Sequence, residues 1–248
     1  MVTRFNTFAS PARFYPMAGR LVPWFWAATL LFGAAGLWIG FMIAPTDFQQ
    51  GDAYRIIFIH VPAAWMSMLI YVVMAFWAAW GWMLGARMAS MYARALAPTG
   101  AMFTFLALWT GALWGKPTWG TWWVWDARLT SEFVLLLMYL GYIALVEAID
   151  DPRRAAHASA LLALVGVVNI PIIYFSVQWW NTLHQGSTIS LTAAPKMATV
   201  MLMALLLMTV SFWAYSFAVA LTRSRALVLE NESDTEWVKA LTQSKAAA

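Results

Sequence analysis

Six apolar runs dominate this 248-residue chain, at 21–44, 62–84, 95–113, 130–149, 156–177 and 196–221, each close to the roughly 20 residues that a helix needs to cross the hydrocarbon core of a bilayer. Backbone polar groups in lipid must be satisfied within the segment, so each run is expected to be a helix. The fold class expected is an all-α polytopic membrane protein, a bundle of six transmembrane helices. With 62% of residues hydrophobic and 10% charged, there is too little polar surface for a soluble globule. Residues 1–225 then form one six-helix membrane domain and 226–248 a polar tail, a frayed or short soluble helix without chemistry of its own.

Arginine and lysine orient the bundle. Arg4, Arg13, Arg20, Arg87, Arg94, Arg153, Arg154, Arg223, Arg225, Lys239 and Lys245 all fall on one side, against Arg55, Lys116, Arg128 and Lys196 on the other. Cytoplasmic loops carry the cationic excess, so both termini are expected in the cytoplasm. The loops after the first, third and fifth helices then share the opposite face. The first, 45–61, ends at His60; the third, 178–195, carries Trp179, Trp180 and His184, and reads as a short interfacial helix followed by a Gly-Ser-Thr turn, with Pro195 opening the sixth helix. His157 falls on the cytoplasmic side. In helix five, Asn169 and Pro171 predict a kink.

The middle loop on that face, 114–130, has an unusual composition. Trp114, Trp119, Trp122, Trp123 and Trp125 lie in it and Trp109 just before it, among 17 tryptophans in all, mixed with Gly, Pro and the charged Lys116, Asp126 and Arg128. Interfacial anchoring needs one or two Trp per helix end. An aromatic shelf with charged edges suits a large flat ligand. Two neutral imidazoles from separated elements can bind haem iron on its two faces, and His60 and His184 satisfy that topology. The Trp faces would cover the macrocycle, and Arg55, Lys116 and Arg128 are candidates for its propionates.

Each feature also has a plainer reading. A lone interfacial His is more often a hydrogen-bonding residue, and the cations could contact lipid headgroups. Asp126, just before helix four, suits a helix cap, and Arg128 could pair with Glu132 four residues on. A zinc site on the two histidines and Asp126 competes but leaves the Trp density unexplained. The chain has no cysteine, which excludes disulfides and thiolate metal sites, and no phosphate-binding Gly-rich loop.

The run Trp119-Gly-Thr-Trp122-Trp123-Val-Trp125-Asp126-Ala-Arg128-Leu-Thr130 resembles the tryptophan-rich WWD signature of the haem-handling proteins of cytochrome c maturation, and with six spans and two external histidines the chain is similar to the CcmC, or haem exporter C, family. The longer synthetase relatives carry extra spans and histidines inside the membrane. The resemblance implies a protein of the bacterial inner membrane that holds haem b on the periplasmic face, through axial ligands at His60 and His184, and presents it to the haem chaperone CcmE for covalent loading. It implies work beside the ABC transporter subunits CcmA and CcmB and the small membrane protein CcmD, with nucleotide use left to those partners and no catalytic residue in this chain. A b-type electron-transfer cytochrome, with histidines within the spans, and a metal-dependent membrane enzyme are the alternatives. A permease passing haem through its own bundle would need a polar route that the spans do not supply.

Overall fold

The computed structural model describes residues 7–184, 189 and 194–246, and the side chains of these except 242 and 244–246. Every extended element among them is helical: α1 (Pro11–Trp38), α2 (Ile57–Leu84), α3 (Arg87–Trp119), α4 (Ala127–Ala148), α5 (Pro152–Gly166), α6 (Asn169–Trp179), α7 (Thr199–Asn231) and α8 (Glu236–Ala246). Six spans are long and apolar enough to cross a bilayer: 11–43, 52–84, 87–119, 127–148, 152–179 and 199–231. The chain is an all-α, multi-pass membrane protein.

Four of the spans reach 33 residues. At 1.5 Å per residue that is about 50 Å, well beyond a hydrocarbon core of about 30 Å, so their ends stand in the headgroup region. The apolar runs marked only the part in hydrocarbon. A π turn at Ile39–Ile43 extends α1, and a 3-10 turn at Asp52–Ile56 leads into α2. The predicted kink in helix five is a break: the backbone loosens into a turn at Val167 and Val168 between α5 and α6. Asn169 there donates to the Ser131 carbonyl at 2.8 Å, so its amide finds a partner inside the bundle. Helix seven starts at Thr199, four residues after Pro195, and the described residues 180–184 are irregular rather than a short helix. The Gly-Ser-Thr turn at 186–188 and Arg4 lie outside the described residues.

Two helix pairs frame the bundle. α2 packs along α3 and α1 along α7, with α4 lying between α3, α5 and α6. Hydrophobicity alone cannot drive such contacts in lipid, so close approach through small residues carries them. Gly33 and Gly36 of α1 face Ser211 and Met208 of α7, and the Ser211 hydroxyl donates to the Thr29 carbonyl at 2.9 Å. In the core, Tyr139 of α4 lies fully buried over Gly100 of α3, its ring T-shaped against Tyr71 at 4.9 Å and its hydroxyl donating to the Ser67 carbonyl at 2.8 Å. A side chain at 100 would occupy the space of the phenol ring. Gly100→Val is therefore expected to destabilise the fold by about 1–3 kcal/mol, seen as a lower midpoint in a thermal scan of the detergent-solubilised protein.

The C-terminal residues are packed, not free. α7 continues six residues past Arg225, Val228 is fully buried, and Val238 of α8 is nearly so. Val228 closes an apolar cluster with Phe14, Tyr15, Met88 and Met91, with Trp237 on Tyr15 at 6.0 Å and an Arg87–Glu232 ion pair at 2.9 Å near it. Both ends of the described chain thus meet at the end of the bundle opposite His60.

Candidate functional site

The Trp-rich stretch is only partly a loop. α3 runs on through Trp114 and Trp119 and stops at Gly120, whose φ of +78° is a left-handed stop that Gly adopts at little cost and whose N–H reaches the Lys116 carbonyl. Pro117 inside the last turn removes one backbone donor. The turn is held by side chains instead: Thr118 donates to the Trp114 carbonyl at 2.8 Å and Lys116 Nζ to the Gly120 carbonyl at 3.1 Å. Trp114 and Trp119 are consequently mounted on a rigid helix, and only 120–126 forms irregular chain. That segment folds back over Gly115, where a Cβ would lie 3.1 Å from the Thr121 carbonyl oxygen.

Asp126 then starts α4. One carboxylate oxygen, Oδ1, caps the helix by accepting from the Leu129 N–H at 2.8 Å. The other, Oδ2, is buried with no hydrogen-bond partner among the described residues and faces Nδ1 of His184 at 3.8 Å. Asp126 therefore caps α4 with one oxygen and faces His184 with the other.

His60 comes from the first turns of α2, and Nδ1 lies 3.0 Å from the hydroxyl of Thr110 on α3. The Trp114 ring stands T-shaped to the imidazole at 5.7 Å, and Trp119 packs on His184 at 5.2 Å. Both histidines and Arg128 line one cavity of about 510 Å³, walled by Trp114, Trp119 and residues of α2, α6 and α7. They also border a narrower recess with Trp119, Trp122 and Trp123. Among the described residues the buried Trp123 indole N–H meets no acceptor. For neither imidazole does Nε2 have a protein partner among the described residues. Burial and the nearby Arg128 guanidinium push the His184 imidazole down to about 4, partly opposed by Asp126, so at neutral pH it holds a free lone pair.

That shift has a consequence for the fold. A base whose folded value is depressed resists protonation that the unfolded chain accepts, so stability is lost as pH falls from about 6.5 towards about 4. The ligand-free protein is expected to melt lower at pH 5 than at pH 7, and His184→Phe to show a smaller difference.

The cations divide. Arg128 reaches the cavity and donates to the Ile173 carbonyl of α6 at 2.7 Å, rather than pairing with Glu132, which accepts from Ser67 at 2.7 Å. Arg55 bonds to Asp52 at 2.9 Å and to the Gly40 carbonyl at 2.6 Å, and Lys116 sits over Trp122 at 6.0 Å; neither lines either cavity. Trp125 is 75% exposed and borders Trp123 at 5.3 Å, outside the cavities, as are Trp109, Trp179 and Trp180. Among the described residues no cluster of three or more His, Asp or Glu could hold a metal ion.

Two residues at the site were not expected, one lining the cavity and one behind His60. Gln50 accepts from the Trp114 indole N–H at 2.7 Å, and Thr110 accompanies His60. Neither has a motif; both become visible only when α2, α3 and the first loop are laid together.

The description Heme exporter protein C belongs to the family model that matches residues 4–239. The chain belongs to that family. Proteins of that name from Escherichia coli K12 and Haemophilus influenzae are 49% and 44% identical to it, over 94% and 96% of this chain and 94% and 97% of their own. The Bradyrhizobium diazoefficiens protein of the same name is 50% identical over 82% of this chain and 77% of its own length. Membership of the haem exporter C family covers nearly the whole helical framework described above, the His60 and His184 ends of α2 and α6 included.

Proposed function

We propose that this chain binds haem at the end of the bundle bearing His60 and His184, on the periplasmic side of the bacterial inner membrane, and presents it to the haem chaperone CcmE during cytochrome c maturation. The observation that carries the reading is the cavity: two imidazoles, each with an Nε2 that meets no hydrogen-bond partner among the described residues, border one aromatic-walled space of about 510 Å³, a size within the roughly 300–1,000 Å³ of small-molecule sites. Haem is cargo here. His60 and His184 would ligate its iron, Trp114 and Trp119 would lie against the ring, and Trp122 and Trp123 would close the narrower edge.

Arg128 is the cation proposed for a propionate, because its guanidinium borders both spaces, whereas Lys196 borders only the larger one, and because it spends one N–H on a carbonyl, leaving others to donate. The buried Trp123 N–H is a second donor at that rim. Asp126 both starts α4 and steadies His184. Arg55 and Lys116 hold the first loop and the α3 terminus in shape. Attachment to the chaperone would rest on orientation and on the chaperone's own residue. The positions of both imidazoles at one end of the bundle favour this reading over a cytochrome that conducts electrons across the bilayer. The partners proposed are the ABC transporter subunits CcmA and CcmB, to which ATP hydrolysis linked to release of the loaded chaperone would belong, and the small membrane protein CcmD.

The test is purification of the full chain from membranes, with and without co-produced CcmE. Haem with a low-spin, bis-imidazole spectrum is expected on the chain alone, and covalent haem on CcmE only when this chain is present. A haem-free wild-type chain that still supports chaperone loading would overturn the proposal.

A further inference from the structure

The geometry points to Thr110 as the residue that sets the tautomer and aim of His60, a positioning role that rests on the haem-holding function proposed above. Thr110 lies on α3, only 4% exposed, with its hydroxyl facing three groups. Oγ1 is 2.6 Å from the Leu106 carbonyl and 3.3 Å from that of Ala107, and 3.0 Å from His60 Nδ1. A carbonyl can only accept, and a hydroxyl has one proton. That proton goes to the backbone, so towards His60 the oxygen is left as an acceptor.

Nδ1 must therefore carry the imidazole proton for the 3.0 Å contact to be a hydrogen bond. A neutral imidazole has one N–H, which leaves the lone pair on Nε2. His60 borders the cavity, and Nε2 is the nitrogen that makes no protein hydrogen bond among the described residues. The ring is also gripped from its sides. Trp114 stands across it at 5.7 Å, and a Cβ at Gly111 would come within 3.1 Å of Cε1, so the imidazole lies directly on the α3 backbone. Tautomer, rotation and depth are thus set by one turn of α3, from Thr110 to Trp114.

His184 is held differently. Its Nδ1 lies 3.8 Å from Asp126 Oδ2, too far for a hydrogen bond, and its backbone follows α6 in irregular chain. Of the two proposed iron ligands, His60 is the one aimed in advance by a neutral acceptor on a rigid helix. An outer hydrogen-bond partner of a ligating histidine fixes its orientation and raises its basicity, and its loss typically costs 10–100-fold in affinity.

The first test needs no haem. In ligand-free wild-type protein labelled with ¹⁵N-histidine, the His60 imidazole is expected to show its proton on Nδ1; a proton on Nε2 would overturn the inference. The second test uses Thr110→Val, which keeps the shape and removes the acceptor, beside Thr110→Ser, which keeps the acceptor. Thr110→Val is expected to lose haem about 10–100-fold faster, with a changed low-spin electron paramagnetic resonance signal, and Thr110→Ser to match wild type. A Thr110→Val protein with wild-type haem dissociation and signal would sink the role of Thr110 while leaving haem binding intact. Wild-type haem in His60→Ala would instead count against the proposed function itself. Should Thr110→Val not fold, the ¹⁵N measurement on the wild type decides alone.

Discussion

Replacement of His60 and His184 together by alanine is expected to leave a folded protein without haem and unable to load the chaperone. Among the described residues His60 rests on α3 at Thr110 and Gly111 and His184 approaches Asp126 at 3.8 Å, so truncation loosens one contact of the α2–α3 pair and leaves the α1–α7 pair and the buried core around Tyr71 and Tyr139 in place. Losing a ligand outright should exceed the roughly 10–100-fold effect of losing an outer partner. Single substitutions separate the two. Each should convert a low-spin six-coordinate spectrum to a high-spin one, and His184→Ala should retain more haem than His60→Ala, because Thr110 and Trp114 leave the remaining His60 ring aimed at the cavity. The measurement is the optical spectrum of each purified variant. Stoichiometric low-spin haem in the double variant would refute the ligand assignment.

Asp126 carries the second large effect, and its two oxygens allow its two roles to be pulled apart. Asp126→Ala removes the α4 cap, worth about 0.5–2 kcal/mol, and at the same time the carboxylate beside His184. Asp126→Asn caps as well as Asp but carries no charge. The alanine variant is expected to be both less stable and poorer in haem, whereas the asparagine variant should melt within a few tenths of a kcal/mol of wild type and still hold haem about tenfold less tightly. Thermal melts and haem titrations of the two variants provide the comparison. Wild-type haem affinity in Asp126→Asn would reduce Asp126 to a helix cap.

The paired readings of Asp126 show how far local pattern carries an argument. A carboxylate immediately before an apolar helix predicts a cap, and the cap is there. Nothing within a few residues of Asp126 reports that its second oxygen meets a histidine 58 positions later. The same holds for Arg128. Helical spacing offered Glu132 as a partner, but the side chains turn to opposite neighbours, Arg128 to the Ile173 carbonyl and Glu132 to Ser67. The i,i+4 rule describes a helix seen alone, and inside a bundle the partners supplied by adjoining helices compete with it.

Helix ends escaped for a related reason. The apolar runs located all six spans, because burial in lipid is demanded of every residue in a crossing. They placed the Trp-rich stretch wholly in a loop, since polarity rises after Leu113, yet the backbone remains helical to Trp119. Where a helix leaves hydrocarbon its composition is free to change while its hydrogen bonds persist. The polar tail does contain a short helix, and what its polarity did not announce is that a few apolar positions, Val228 and Trp237 among them, pack against residues of α1 and α3, a sparse pattern without a strong period.

The amino-acid sequence by itself determined that the chain crosses a membrane six times, that His60, His184 and a tryptophan-dense segment belong to alternate connections, and that the chain resembles the family to which it belongs. Those are consequences of composition, length and parity, which need no knowledge of how helices rotate. Only the tertiary structure decided which side chains share the cavity: Arg128 but not Arg55 or Lys116, Trp114 and Trp119 but not Trp125, and Thr110 behind His60. Such choices depend on the tilt and rotation of each helix against its neighbours, set by close approach at residues such as Gly100 and Gly111, and a shift of one residue in that rotation moves a side chain by about 100° around its helix.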